Sequence, residues 1–182
     1  MTCSRYSGNR FFYVYLFIEN IEIRMKDFKK EFMDEAIRLS KENIDKGIGG
    51  PFGAVIVKDG KIIAGGSNKV TTKNDPTAHA EVETIREACK ALNTFSLAGC
   101  HIYTSCEPCP MCLAAIYWAR IDKIYYSNDK HNAAEIGFDD KFIYDELDLE
   151  YDKRKIPIIK YDSEEALAVF KAWTEKTDKI DY

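Results

Sequence analysis

His101-Ile102-Tyr103-Thr104-Ser105-Cys106-Glu107-Pro108-Cys109-Pro110-Met111-Cys112, continued by Leu113 to Ala119, reads as a strand, a cysteine-bearing connection and a helix in succession. His101–Thr104 carries the β-branched and aromatic residues that suit a pleated strand. Pro110 fits the first turn of a helix, where its missing N–H costs nothing, and the helix is expected to run to about Ala119. Lys123-Ile124-Tyr125-Tyr126 then reads as another strand.

Upstream, Ala54-Val55-Ile56-Val57 is a short β-branched run. Asp59-Gly60 is a hairpin turn signal, and Ile62-Ile63-Ala64 returns as a second strand. Ala78 to Leu92 reads as a helix, with Asp75, Pro76 and Thr77 at its start. Phe28, Phe32, Ala36, Leu39 and Ile44 recur at helical spacing after Met25, with Gly47 as the stop. Downstream, Ile158-Ile159 suggests a shorter strand. Ser163, followed by Glu164 and Glu165, starts a last helix through Ala172. This order predicts an α/β domain with a central mixed sheet between helices.

The chain has 182 residues, enough for one domain with a core that needs no staples. Residues 1–24 are aromatic, patternless and uncapped, and are expected to be an upstream extension or a misplaced start before a domain spanning 25–182. The longest apolar run, Phe11–Ile18, is too short to span a membrane. Arg5 and Arg10 precede it, but Glu19 and Glu22 follow without a small-residue cleavage site, so secretion is not expected. Lys and Arg number 26 against 30 Asp and Glu, a formal charge of −4. That balance argues against a nucleic-acid partner, because phosphate binding needs a basic surplus. Three of the six cysteines fall within seven residues, a clustering that points to metal in a cytoplasmic protein rather than to a disulfide framework.

Two short pieces carry chemistry: His79-Ala80-Glu81 and Pro108-Cys109-Pro110-Met111-Cys112. One imidazole and two thiolates form a zinc-type ligand set, and three protein ligands leave a fourth tetrahedral position open. An open position marks a catalytic zinc, whose bound water loses a proton near neutral pH. His79 and Glu81 are two residues apart, so on an ideal helix they would point in nearly opposite directions. They converge only on something beyond the helix end. Both pieces then present helix N-termini to one point, where positive dipole ends favour thiolates. Glu81 is placed to move protons without ligating the metal. Cys106 is the alternative fourth ligand of a closed structural site, and the even spacing of Cys106, Cys109 and Cys112 also suits an iron–sulfur run. That run has no nearby fourth cysteine and leaves His79 and Glu81 unexplained.

His-x-Glu followed by Pro-Cys-x-x-Cys is the zinc-deaminase signature. With Gly49–Val57, Asn74–Glu81, Thr104–Cys112 and Glu135–Asp140, the chain from about residue 30 onward resembles the cytidine-deaminase-like superfamily. Within it, the chain is most similar to the small zinc-dependent guanine deaminases. The resemblance implies a three-layer αβα sandwich and a homodimer in which the C-terminal segment crosses to the partner. It implies hydrolysis of guanine to xanthine and ammonia, one Zn2+ per subunit held by His79, Cys109 and Cys112, and Glu81 as proton carrier. It also implies a substrate site of Asn68, Phe52, Ala80 and Trp118, with Phe52 and Trp118 flanking the ring. Asp140 would accept from the purine's donor edge and assist proton transfer, and Tyr182 would close the partner's pocket. These residue types suit the task. A carboxylate matches the N1–H and amino donors of guanine, an amide both donates and accepts, and a flat purine favours aromatic walls.

Three other readings share parts of the pattern. A tRNA adenosine deaminase carries the same zinc motif but needs basic surface, whereas Asp145, Glu146, Asp148 and Glu150 are acidic. Deamination of a cytosine-type base or of a purine nucleoside such as guanosine is another, and the nucleoside differs at the pocket rim alone. A zinc module without activity predicts four protein ligands and an idle Glu81.

Overall fold

The computed structural model describes residues 27–181. The chain divides into Met1–Glu31 and Phe32–Tyr182. Residues 1–24, expected to be an extension, lie outside the described residues. So does Tyr182. Of the first unit, residues 27–31 are described, ending in the first residues of helix α1 (Lys30–Asp45).

The second unit is built on a four-stranded sheet in the order β2-β1-β3-β4. β1 (Gly53–Lys58) and β2 (Lys61–Ser67) form the expected antiparallel hairpin. Asp59 and Gly60 between them have φ of 50° and 72°, the pair of positive values that a tight hairpin turn requires. β3 (Cys100–Cys106) runs antiparallel to β1, and β4 (Lys123–Asn128) runs parallel to β3, so the sheet is mixed. Helix α4 (Pro110–Trp118) is the crossover between β3 and β4, as a parallel pair demands. The remaining helices are α2 (Val70–Lys73), α3 (Ala80–Leu92), α5 (Lys130–Glu135), α6 (Lys141–Leu147) and α7 (Glu164–Glu175), with a 3-10 turn at Tyr151–Lys153.

Glycines show which helix covers which face. A Cβ on Gly53 would sit 2.3 Å from the Ala36 carbonyl oxygen of α1. One on Gly66 would sit 2.6 Å from Thr84 Oγ1 of α3. Gly53 and Gly66 occupy opposite faces of the hairpin, because Gly66 pairs with the next residue, Ala54. The sheet therefore lies between α1 on one side and α3 with α4 on the other, the expected three-layer αβα sandwich. The core on the α3–α4 side joins Ala54 and Ile56 of β1, Ile102 of β3 and Ile116 of α4, each at 2% exposure or less. Burying each isoleucine stabilises the fold by about 2–3 kcal/mol. On the α1 side, the Tyr103 ring packs 4.6 Å from Tyr125 and 5.4 Å from Phe32.

Two expectations fail here. Ile44 was expected on the buried stripe of α1 but is 51% exposed, while its neighbour Asn43 is 1% exposed. From Phe32 and Ala36 the stripe continues to residue 43, and residue 44 lies about 100° further round the helix. Ile158 and Ile159 form no strand, and both are exposed. Ser163 does cap the last helix, its hydroxyl accepting from Ala166 N at 3.1 Å.

Candidate metal centre and active site

His79 and Cys109 are the N-cap residues of α3 and α4, both extended, at φ/ψ of −69°/157° and −63°/167°. Neither side chain caps its own helix, so imidazole and thiol project past the helix ends toward one point. This extended residue also resolves the awkward two-residue spacing. His79 stands off the helix, and Glu81 is its second residue. Cys112 lies one turn into α4 and is fully buried.

The Nδ1 atom of His79 lies 3.6 Å from Cys109 Sγ and 3.5 Å from Cys112 Sγ. Metal–sulfur and metal–nitrogen bonds of zinc length, set at a tetrahedral angle, place those atoms about 3.6 Å apart. The three residues form the one such group of possible metal ligands among the described residues. Their donors fit zinc in type and spacing, with three protein ligands rather than four. Cys106, the rival fourth ligand, is not among them. Its thiol hydrogen-bonds the Asp129 carbonyl at 3.7 Å, and burial pushes it up to about 11.

Electrostatics at this point favour one thiolate, at Cys109. A hydrogen bond from Cys112 pulls the Cys109 thiol down to about 4, with His79 adding to it. The Cys112 thiol is pushed up by that same bond and by burial, so the two thiols share one proton. The Cys109 bond raises His79 above the ordinary imidazole value. Burial raises the Glu81 carboxyl, which is 6% exposed and accepts from Cys112 Sγ at 3.5 Å. A carboxyl raised by burial holds a proton more readily than an exposed one, as a proton carrier must.

A cavity of about 390 Å³ opens over His79, Glu81 and Cys109. Phe52 and Asn68 line it, and Asp140 faces it from the loop before α6. Asp140 is half-buried, and its carboxyl is raised by burial and then by the Cys109 charge. Asp139, not Asp140, accepts from Lys141 N, which leaves Asp140 uncommitted to capping its helix.

Not every expected residue lines the cavity. Ala80 is fully buried behind the ligands, its carbonyl accepting from Thr84 Oγ1 at 2.6 Å. Trp118 is 64% exposed and lines a separate surface hollow with Ala114, Tyr117 and Arg120. It closes α4, six residues beyond Cys112, about 9 Å along the axis. Within one chain it therefore does not flank a ring in the cavity. The residue facing Phe52 there is Phe138, at 4.9 Å and nearly perpendicular. Phe138 lay inside Glu135–Asp140 without being singled out, as did Glu107 inside Thr104–Cys112. Glu107 lines the cavity and accepts from Lys130 N at 3.1 Å. No periodic signal marks either residue, since both stand in loops.

Residues 26–128 match the model of the cytidine and deoxycytidylate deaminase zinc-binding region. A guanine deaminase of Bacillus subtilis (strain 168) is 55% identical over 151 residues, covering 83% of this chain and 97% of that protein. The X-ray structure of guanine deaminase from Bacillus subtilis superposes with a TM-score of 0.83 at 54% identity, over 85% of this chain and 99% of that one. A tRNA-specific adenosine deaminase of Aquifex aeolicus is 46% identical over 99 residues, 54% of this chain and 65% of that protein. The matched zinc-binding region takes in both helix ends that carry His79, Cys109 and Cys112, and the chain belongs to the cytidine and deoxycytidylate deaminase family.

Proposed function

We propose that this zinc-dependent deaminase hydrolyses guanine to xanthine and ammonia. The observation that carries this reading is the composition of the cavity. Two of the zinc ligands, His79 and Cys109, line it with Glu81, together with acceptor, amide and aromatic side chains. The likeness to the Bacillus subtilis guanine deaminase over nearly its full length supports the same reading. The tRNA deaminase match stops at little over half of this chain.

His79, Cys109 and Cys112 would hold the zinc, which when bound would make a water acidic enough to serve as nucleophile near neutral pH. The chain's own residues do the rest. Asp140 accepts from the N1–H and amino donors of guanine, and Asn68 hydrogen-bonds the purine. Phe52 packs on the ring. Glu81 takes the proton released as the C2–O bond forms and delivers it to the ring nitrogen. The proton of the new C2 hydroxyl then passes through Glu81 to the amino nitrogen, C2 becomes the carbonyl of xanthine as the C2–N bond breaks, and ammonia leaves. One guanine and one water give one xanthine and one ammonia.

The same reading includes a homodimer with an exchanged C-terminal segment. Its support is α7, on which Leu167, Phe170 and Trp173 are 60%, 74% and 46% exposed. A helix that shows its apolar face to water has that face to bury elsewhere. In such a dimer, Trp118 and Tyr182 reach the partner's cavity rather than their own. Sedimentation at micromolar concentration should give twice the chain mass; a monomer would contradict the exchange. Cys109 and Cys112 as metal ligands, beside the free thiols of Cys89, Cys100 and Cys106, support a reducing, cytoplasmic setting. No helix among the described residues is long and apolar enough to cross a membrane.

The test is ammonia release by zinc-loaded protein offered guanine, guanosine, adenine, cytosine and unmodified tRNA in parallel. Turnover of guanine alone is expected. Turnover of tRNA alone, or of guanosine in preference to guanine, would contradict the substrate assignment.

A further inference from the structure

Asn43 is a polar residue on the buried stripe of a helix, and it is 1% exposed. Its Nδ2 donates to the Gly50 carbonyl at 2.8 Å and to the Asn68 carbonyl at 2.9 Å. Its Oδ1 accepts from Ser67 Oγ at 2.8 Å. One side chain thus ties three residues to α1: Gly50 of the glycine loop, and the neighbours Ser67 and Asn68 at the end of β2. Two of them, Gly50 and Asn68, line the cavity.

The Asn68 side chain depends on that tie. Its Oδ1 lies 3.4 Å from Gly50 N and 3.3 Å from Val70 N. Two N–H donors aimed at one end of an amide fix that end as oxygen, because the flipped amide would set donor against donor. The Nδ2 end then has no acceptor among the described residues, and it is not sealed from solvent. Asn68 is 5% exposed, and its backbone N donates to the Phe52 carbonyl at 3.0 Å. Its backbone is therefore pinned on one side by Phe52 and on the other by Asn43. Gly49 packs close beneath, since a Cβ there would lie 2.9 Å from Asn68 Oδ1.

We infer that Asn43 is a positioning residue for substrate recognition. It holds Gly50 and Asn68 together so that the Asn68 amide turns its N–H donors toward the cavity, where they read an acceptor atom on the purine. This inference rests on the guanine reading and deepens it. It assigns Asn68 the donor half of recognition, complementary to the acceptor role of Asp140. Without Asn43, two carbonyls lose their buried partner and the Gly50 loop is released, so the Asn68 amide keeps Val70 N and loses the second of its two orienting donors. Substrate then loses about one hydrogen bond, which is worth about tenfold in affinity.

The test is a mutant cycle on the zinc-loaded enzyme, read as KM and kcat for guanine. Asn43→Ser should raise KM about tenfold and change kcat less than about threefold. Ser67→Ala leaves both carbonyls paired and removes only the bond that orients Asn43, so it should raise KM by a smaller factor, about two- to threefold. Asn68→Ala should raise KM at least as much as Asn43→Ser. Adding Asn43→Ser to Asn68→Ala should then change KM less than about twofold, because the donor it positions is already gone. A general structural role would instead lower Tm and active-site concentration and multiply with Asn68→Ala. An unchanged KM in both Asn43→Ser and Ser67→Ala, or full multiplicativity in the double variant, overturns the inference. Failure of the wild-type enzyme to release ammonia from guanine would instead refute the substrate reading, so the two failures are distinct.

Discussion

Replacing Glu83 with glutamine keeps its shape and removes one buried negative charge. The Glu83 side chain is 5% exposed and faces three cations: Lys73 at 2.6 Å, Arg86 at 3.0 Å and Lys69 at 3.9 Å. Hydrogen bonds to a charged group contribute about 1.5–3 kcal/mol when buried. All three cations are 40–51% exposed, so solvent screens the pairs and the figure falls to about 1–2 kcal/mol. For a domain of this size that corresponds to a Tm lowered by roughly 3–6 °C at pH 7. The pH dependence carries a sign. Burial alone would raise the Glu83 carboxyl, but the hydrogen bonds from Lys73 and Arg86 outweigh it and hold the group below its ordinary value of 4.5. A carboxyl lowered by folding contributes stability above its unfolded-state value and loses it as pH falls through the folded-state value. The Tm gap between wild type and Glu83→Gln should therefore be largest near neutrality and close on acidification below about pH 4. Scanning calorimetry of both zinc-loaded proteins from pH 7 to pH 3 measures it, since the unaltered metal site is common to both. Equal Tm values at pH 7, or a gap that persists undiminished at pH 3, would refute the reasoning.

Cys109→Ala should abolish stoichiometric zinc, measured by metal analysis, together with turnover; retained metal would remove Cys109 from the ligand set. Gly53→Ala should destabilise by about 2–3 kcal/mol or prevent folding, because its Cβ would lie 2.3 Å from a backbone oxygen of α1. Thermal unfolding checks it, and an unchanged Tm would mean that α1 does not pack on β1 as described.

The parts of the fold visible in the sequence were those with strong local rules. The Asp59-Gly60 turn, the β-branched strand Ala54–Val57 and the Pro110 helix start each carry their own signal, and each stands where it was expected. The zinc set was legible because its spacing needs two helix ends at one point, and His79 and Cys109 are both N-caps. Tertiary arrangement hid the rest. Ile44 looked apolar enough for the core, but helical phase put Asn43 there instead. Helix α5 is short and has no buried residue, so it shows no periodicity. Its evident mark is the capping box in which Asp129 accepts from Asn132 N while Asn132 receives Asp129 N–H. Trp118 could not be placed from sequence, because which cavity a helix end serves depends on where that helix lies. Asn43 gave no sign of its role, since a lone asparagine in a helix is ordinarily a solvated residue.

The central claim is that Glu81 moves the protons of guanine hydrolysis beside a zinc it does not ligate. The direct measurement is xanthine formation from guanine by wild type and Glu81→Gln, with zinc content determined on the same samples. The account predicts one zinc per chain in both proteins and a loss of at least about a hundredfold in kcat for the variant. Near-normal turnover by Glu81→Gln, or loss of its zinc, would contradict it.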